Sequence, residues 1–261
     1  MTYLERMRPA PGLRVLVTAG GSGLGRAIAE AFRDAGARVA ICDLDQPALD
    51  CFAANRDGLA VRADVSDPEA VDRLFDRIDN AFRGLDVLVN NAGIAGPTGP
   101  IDTLEIEDIR RTLDVDVMGQ FLTIRRAAPL LRASGSGAII NISSVAGRLG
   151  YAMRTPYAVS KWGIVGLTAS LAKEMGPDGI RVNAILPGPV RGPRMDQVIR
   201  DRAEAKGVSF EAMEAEYLSN ISLRRMVEPE DVASLALFLC SAAGGNISGQ
   251  SISVCGNVET L

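Results

Sequence analysis

The chain has 261 residues, 47% of them apolar and 23% charged, with a net charge of −4. That is the composition of a globular protein with core enough for one α/β domain, not of a disordered segment. The mild negative charge speaks against a general nucleic-acid binder, which presents a basic face.

Taken in chain order, apolar runs rich in valine and isoleucine alternate with helical patterns. Residues 1–11 carry charges and no apolar stretch, unlike a secretory leader. Strands are expected over 14–18, 38–42, 59–63, 87–90, 138–142, 181–186 and 251–254. Helices are expected over 24–35, 67–82 (with Pro68 in its first turn), 106–132, 156–175 and 230–241. The most apolar helical stretch, 232–243, is too short to cross a bilayer. Continuous apolar strands separated by helices imply a Rossmann-like, doubly wound parallel sheet of about seven strands, with helices on both faces. Only residues 191–222, charged and helical, break the rhythm. They read as a small helical lid over the site or as a plain surface excursion. No linker, repeat or second core interrupts residues 1–261, so a single domain is expected.

The four cysteines (Cys42, Cys51, Cys240 and Cys255) form no CxxC pair, and the chain has no histidine. Buried thiols in a reducing cytoplasm are expected, and no metal site.

Residues 18–25 read Thr-Ala-Gly-Gly-Ser-Gly-Leu-Gly, running from the first strand into the first long helix. Glycines allow a sharp turn and close approach to a pyrophosphate, and the helix start offers N–H groups and a positive dipole end. Gly20, Ser22, Gly23, Leu24 and Gly25 are the candidate contacts. Asp43 ends the second strand, eighteen positions after Gly25, close to the spacing at which a carboxylate grips a ribose 2′-hydroxyl, with Leu44 beside it. A 2′-phosphate would be repelled there, and no Lys or Arg occupies Cys42 or Ser22. NAD rather than NADP is expected.

Further on come Asn90-Asn91-Ala92-Gly93, Asn141-Ile-Ser-Ser144, Tyr157-Ala-Val-Ser-Lys161 and Pro187-Gly188. Tyr157 and Lys161 are four apart and share a helix face. A phenol with a pKa of about 10 is too weak a base at neutral pH, and a nearby ammonium lowers it. Together with the glycine loop, this order of motifs resembles the short-chain dehydrogenase/reductase family over residues 11–257. The resemblance implies an NAD-dependent oxidoreductase moving a hydride between nicotinamide and a small secondary alcohol or ketone. It also implies Tyr157 as acid/base, Ser144 holding the substrate oxygen, and Lys161 also binding ribose hydroxyls. Asp64 and Val65 are then expected at the adenine, Asn91, Ala92 and Gly93 along the ribose, and Pro187, Gly188 and Val190 near the nicotinamide. A helix cap is the alternative for Asp64, although Ser66 or Asp67 suits that role better.

Four features depart from the family pattern. Ala19 stands at the first glycine of its TGxxxGxG loop. Asp116 stands at an asparagine thought to hold a relay water behind the lysine, and is expected to keep that catalytic relay with altered pH dependence. Val254-Cys-Gly-Asn257 replaces a usual Asp-Gly-Gly, and no threonine follows Pro187-Gly188 closely. Arg154, Arg191 and Arg194 (with Arg148) fall where the family's pocket is walled, which suits a small anion such as a sugar acid or hydroxy acid. Leu149, Tyr151 and Met153 suit an apolar alcohol equally, and a polyol is a further expected substrate. An NADPH-dependent ketoacyl-type reductase and a non-catalytic NAD-binding regulator remain as rivals. Relatives are commonly homodimers or homotetramers formed through the two long helices and the last strand. No membrane or nucleic-acid partner is expected.

Overall fold

The structure is a computed structural model and describes residues 2–54 and 58–258. Its sheet holds β1 Arg14–Thr18, β2 Arg38–Asp43, β3 Leu59–Arg62, β4 Val87–Asn90, β5 Ala138–Ile142, β6 Arg181–Pro187 and β7 Ser251–Val254. All pair in parallel, in the order β3-β2-β1-β4-β5-β6-β7. The expected seven-strand, doubly wound sheet is what the chain forms.

A short turn, α1 Tyr3–Arg6, precedes β1. The helices that follow are α2 Gly23–Asp34, α3 Gln46–Ala54, α4 Pro68–Phe82, α5 Ile106–Leu113, α6 Gly119–Ser134, α7 Thr155–Met175, α8 Pro193–Lys206, α9 Phe210–Ser219 and α10 Pro229–Leu239. Alternation along each strand divides the core in two. Leu16, Leu88 and Ile139 face one cluster, with Leu74, Ile78, Leu131 and Ile164 from the α4, α6 and α7 side. Val15, Val17, Val89 and Ile140 face the other, with Ile28, Phe32, Phe52 and Leu239 from the α2, α3 and α10 side. Each such side chain, fully buried, contributes about 1.5–3 kcal/mol.

A line of buried polar groups crosses the α6–α7 face. The Thr123 hydroxyl donates to Asn90 Oδ1 (2.7 Å), Asn90 Nδ2 to Asn141 Oδ1 (3.0 Å), and Asn141 Nδ2 to Thr168 Oγ1 (3.0 Å). It links α6, β4, β5 and α7 through groups at most 1% exposed.

Three expectations need correcting. The single helix over 106–132 is instead α5 and α6 joined by a π-helical turn, Asp114–Met118. The wider turn buries Val115 and Asp116 in succession; such turns mark sites where helix geometry yields to another demand. Cys42 and Cys240 are buried, and burial pushes their thiols up to about 12, but Cys51 is exposed and Cys255 part-exposed. Finally, α3 lies in a stretch with no expected helix, where Leu49 and Phe52 anchor it to the sheet.

Residues 191–222 fold as the helix pair α8–α9 around a small cluster of their own, made of Ile199, Ala203 and Met213 with Met226.

Candidate active site

Strand order reverses between β1 and β4, so the turns leaving their C-terminal ends diverge and open a crevice, the usual ligand position in such sheets. A cleft of about 930 Å³ runs from there to α8 and α9. Along it lie Ser22, Gly23, Leu24, Gly25, Asp43, Asn91, Gly93, Ser144, Arg154, Tyr157, Lys161, Pro187, Gly188, Val190, Arg191 and Arg194, all expected from the sequence. Gly20, Leu44, Asp64, Val65, Ala92 and Asp116 stand behind or beyond its walls.

The glycine turn is built for close approach. Ala19 keeps a left-handed backbone (φ +49°), as does Gly23 (φ +52°); an alanine held there costs about 1–2 kcal/mol. A Cβ on Gly25 would sit 2.0 Å from the Ala19 carbonyl oxygen and 2.5 Å from Asn91 Nδ2. Ser22 is the N-cap residue of α2, but its side chain takes none of the helix's first amides. Asn91 Nδ2 donates to the carbonyls of Thr18 (3.0 Å) and Ala19 (3.1 Å), and the Thr18 hydroxyl accepts from the amides of Asn91 and Ala92, each at 2.9 Å. Thr18 thereby locks the β1 turn to the β4 turn, a role its sequence position does not announce.

Asp43 accepts from the amides of Gly21 (2.9 Å), Leu44 (2.7 Å) and Asp45 (3.1 Å). Those bonds fix the carboxylate at the cleft edge. Leu44 is exposed. Asp64 accepts from the amide and hydroxyl of Ser66 and pairs with Arg111 (3.1 Å). Burial raises its pKa, but the Ser66 bonds and Arg111 outweigh that and hold it below the usual range. Asp67 caps α4. Val65 is buried against α6, where a Cβ on Gly119 would approach it to 2.8 Å.

The expected catalytic pair, Tyr157 and Lys161, sits on α7. Lys161 Nζ lies 5.4 Å from the Tyr157 ring centre and 3.3 Å from Asp116 Oδ2. Asp116 is fully buried; Oδ1 accepts the Ile94 amide (2.7 Å), and the Ser160 hydroxyl lies 3.0 Å from Oδ2. A Cβ at Gly93 would meet Asp116 Oδ1 at 3.1 Å and Lys161 Nζ at 3.2 Å, a tight approach to which these two groups would have to yield by a few tenths of an ångström. The Ser143 hydroxyl donates to the Lys161 carbonyl (2.8 Å) and ties α7 to the end of β5. For the Tyr157 phenol, burial favours the neutral form. The charges of Lys161 and Arg194, the Ser144 hydrogen bond and the charge of Arg154 outweigh it, so the pKa falls below its ordinary value.

Of the expected substrate arginines, Arg154 is 3% exposed, stacks 4.5 Å from the Tyr157 ring centre and donates to the Ala95 carbonyl (2.6 Å). Arg194 donates to the Gly93 carbonyl (2.8 Å). Arg191 lies at the exposed rim, paired with Glu228 (2.9 Å). Tyr151, expected at the pocket, gathers at the far end of the same cleft with Arg202 and Tyr217, neither of them foreseen from sequence.

Among the described residues no helix is long and apolar enough to cross a membrane, and no group of His, Cys, Asp and Glu could hold a metal ion. The residues present do fit a dinucleotide: a turn whose glycines leave room a Cβ would fill, helix amides beside it, and a carboxylate at the end of β2.

Comparison with known proteins agrees. The family model described as enoyl-(acyl carrier protein) reductase matches residues 18–257. A cis-4-hydroxycyclohexanecarboxylate dehydrogenase of Sinomonas cyclohexanicum is 36% identical over 94% of this chain and 96% of its own. A (3R)-3-hydroxyacyl-CoA dehydrogenase of Mus musculus is 37% identical over 93% and 95%. Among solved structures, levodione reductase superposes with a TM-score of 0.89 at 29% identity, covering 94% and 97% of the two chains. An actinorhodin polyketide ketoreductase with NADPH gives 0.90 at 28%, covering 95% and 97%. Fold and site thus define a nicotinamide-dependent oxidoreductase. The chain belongs to the short-chain dehydrogenase/reductase family.

Gly25→Ala should therefore weaken dinucleotide binding by about tenfold or more, and cost about 1–3 kcal/mol of stability through overpacking. Calorimetric titration with NADH and thermal unfolding measure the two effects.

Proposed function

We propose that the protein is an NAD-dependent dehydrogenase of a small secondary alcohol (a hydroxy acid, sugar acid or polyol), which also reduces the matching ketone. The observation that carries this reading is the Tyr157–Lys161–Asp116 arrangement at the floor of a cleft edged by the glycine turn. Tyr157, as phenolate, takes the proton of the substrate hydroxyl. Ser144 donates a hydrogen bond to the substrate oxygen, while Lys161 and Arg194 hold the phenolate form. When bound, the nicotinamide supplies the acceptor for the hydride. Asp116 holds the Lys161 ammonium in place and completes the proton path behind it.

We assign Gly20, Ser22, Gly23, Leu24 and Gly25 to the pyrophosphate, Asp43 and Leu44 to the adenosine ribose, and Asp64 and Val65 to the adenine end. Asn91, Ala92 and Gly93 serve the second ribose with Tyr157 and Lys161, and Pro187, Gly188 and Val190 the nicotinamide. Asp43 favours NAD because it would repel a 2′-phosphate. One observation favours NADP as a second reading: Arg62 lies in register beside Asp43 and gives its Nε to the Leu44 carbonyl (3.2 Å), which brings a cation to this edge. NADH and NADPH formation over polyols, sugar acids and cyclic alcohols tests the reading. Asp43→Ser is expected to lower kcat/KM for NAD by about 10- to 100-fold, the worth of a lost charge-assisted bond, and to raise use of NADP relative to NAD. An unchanged ratio would remove Asp43 from cofactor choice.

The reading includes a cytoplasmic protein with no nucleic-acid or membrane partner, and a homodimer or homotetramer. Met118, Phe121, Val159 and Trp162, each about half exposed, support a second copy over the long helices. Sedimentation measures it.

A further inference from the structure

The far end of the cleft holds two guanidiniums, Arg202 and Arg154, that pair with no carboxylate among the described residues. Arg202, part-buried on α8, donates to the Tyr217 hydroxyl (3.2 Å), and its guanidinium lies 5.1 Å from the Tyr151 ring centre and 5.3 Å from that of Tyr217. The two tyrosine hydroxyls meet at 2.6 Å. Arg154 approaches the Tyr151 ring centre to 5.3 Å, so two guanidiniums lie against that one ring. Neither arginine forms an ion pair among the described residues. Glu216, the carboxylate lining this end of the cleft, is engaged by Lys206 (2.7 Å). Arg154 Nε is also buried without a hydrogen-bond partner. Burial, followed by the neighbouring Tyr151, pushes the Tyr217 phenol up, so it stays neutral and supplies no counter-charge.

A guanidinium has five donors in a planar fork suited to a carboxylate. Here one donor is spent on a phenol, and of the two phenol hydroxyls beside it one gives its proton to the other, which keeps its own free to donate. Part-buried cations without a partner are costly, and an anionic ligand removes that cost. Cation–π attraction to the two rings favours a guanidinium held against them over one loose in solvent.

Resting on the reading that Tyr157 deprotonates a secondary alcohol, we propose that Arg202, with the Tyr151 and Tyr217 hydroxyls, is a carboxylate-recognition subsite, and that the substrate is a compact hydroxy acid. Its hydroxyl lies at Tyr157 and its carboxylate at Arg202, with the carbon skeleton between them lying along Arg154 and Tyr151. Arg202 and the two tyrosines are then specificity-determining residues and touch no reacting atom.

The test uses 4-hydroxycyclohexanecarboxylate, its methyl ester and cyclohexanol with the whole protein and NAD or NADP. The acid should exceed the ester in kcat/KM by about tenfold or more, chiefly through KM. Arg202→Met should lower the acid-to-ester ratio about 10- to 100-fold, with Arg202→Lys intermediate. Tyr217→Phe, which keeps the ring and the packing, should lower the ratio by a smaller factor and serves if Arg202→Met fails to fold. Calorimetric binding of the acid, with and without Arg202, gives a readout that does not depend on turnover. An acid-to-ester ratio near one, or equal losses on both in the variants, overturns the subsite while leaving the dehydrogenase reading intact. Acid binding that needs Arg202 without turnover of any alcohol would sink the dehydrogenase reading and keep the anion site.

Discussion

Tyr157→Phe is expected to lower kcat by about 10²–10⁴, the usual worth of a positioned acid/base, with dinucleotide affinity changed far less. The phenylalanine keeps the ring over which Arg154 stacks at 4.5 Å and loses only the oxygen. The pH profile gives a second signature. Oxidation needs the phenolate, so the rate rises as pH passes through the Tyr157 pKa, and the midpoint should lie below the ordinary value of about 10. Burial pulls that midpoint upward, while Lys161, then Arg194, then the Ser144 bond and Arg154 pull it further downward. Arg194→Ala should accordingly move the midpoint to higher pH. A midpoint indifferent to Arg194, or a Phe variant with full activity, would remove Tyr157 from the chemistry.

The second large effect belongs to Lys161. Its ammonium is the cation at 3.3 Å from a carboxylate with no exposure at all, and it is itself only 5% exposed. Lys161→Met removes one half of that pair and leaves the Asp116 charge buried with hydrogen bonds but no counter-ion. Breaking a buried pair in this way costs about 3–5 kcal/mol, so a large fall in thermal stability is expected along with loss of turnover. Adding Asp116→Asn should restore most of the stability and none of the activity, because the amide oxygen still accepts the Ile94 amide while the cation beside the phenol is gone. If the double variant is no more stable than the single one, the ion pair is not what holds this part of α7. Asp116→Asn alone should shift the pH–rate profile; an unchanged profile would leave the acid without a special part.

The strands were legible because each is a short apolar run bounded by polar or turn residues, and a doubly covered sheet demands that pattern. The glycine turn, Asp43 and the Tyr157–Lys161 pair were legible because local backbone geometry sets their spacing. Other features depend on contacts far apart in sequence. Nothing local predicts that residues 114–118 widen into a π-helical turn; the reward for it, Asp116 reaching Lys161 and the Ile94 amide, is entirely tertiary. The helix α3 is short, and Leu49 and Phe52 declare their value only against the sheet. Among the arginines, sequence position could not tell Arg191, spent on a surface pair with Glu228, from Arg202, held between two tyrosine rings. That distinction depends on how α8 and α9 fold back over the cleft.

The buried chain from Thr123 through Asn90 and Asn141 to Thr168 has a direction. Turning one amide over would set acceptor against acceptor or donor against donor where Asn90 meets Asn141, so neither side chain can invert without the other. Apolar packing alone tolerates small slips of one helix along a sheet; a row of oriented amides does not. The helix that carries Tyr157 and Lys161 is therefore indexed to the sheet by hydrogen-bond polarity as well as by shape, and the phenol inherits its place over the crevice from two asparagines that never meet a ligand.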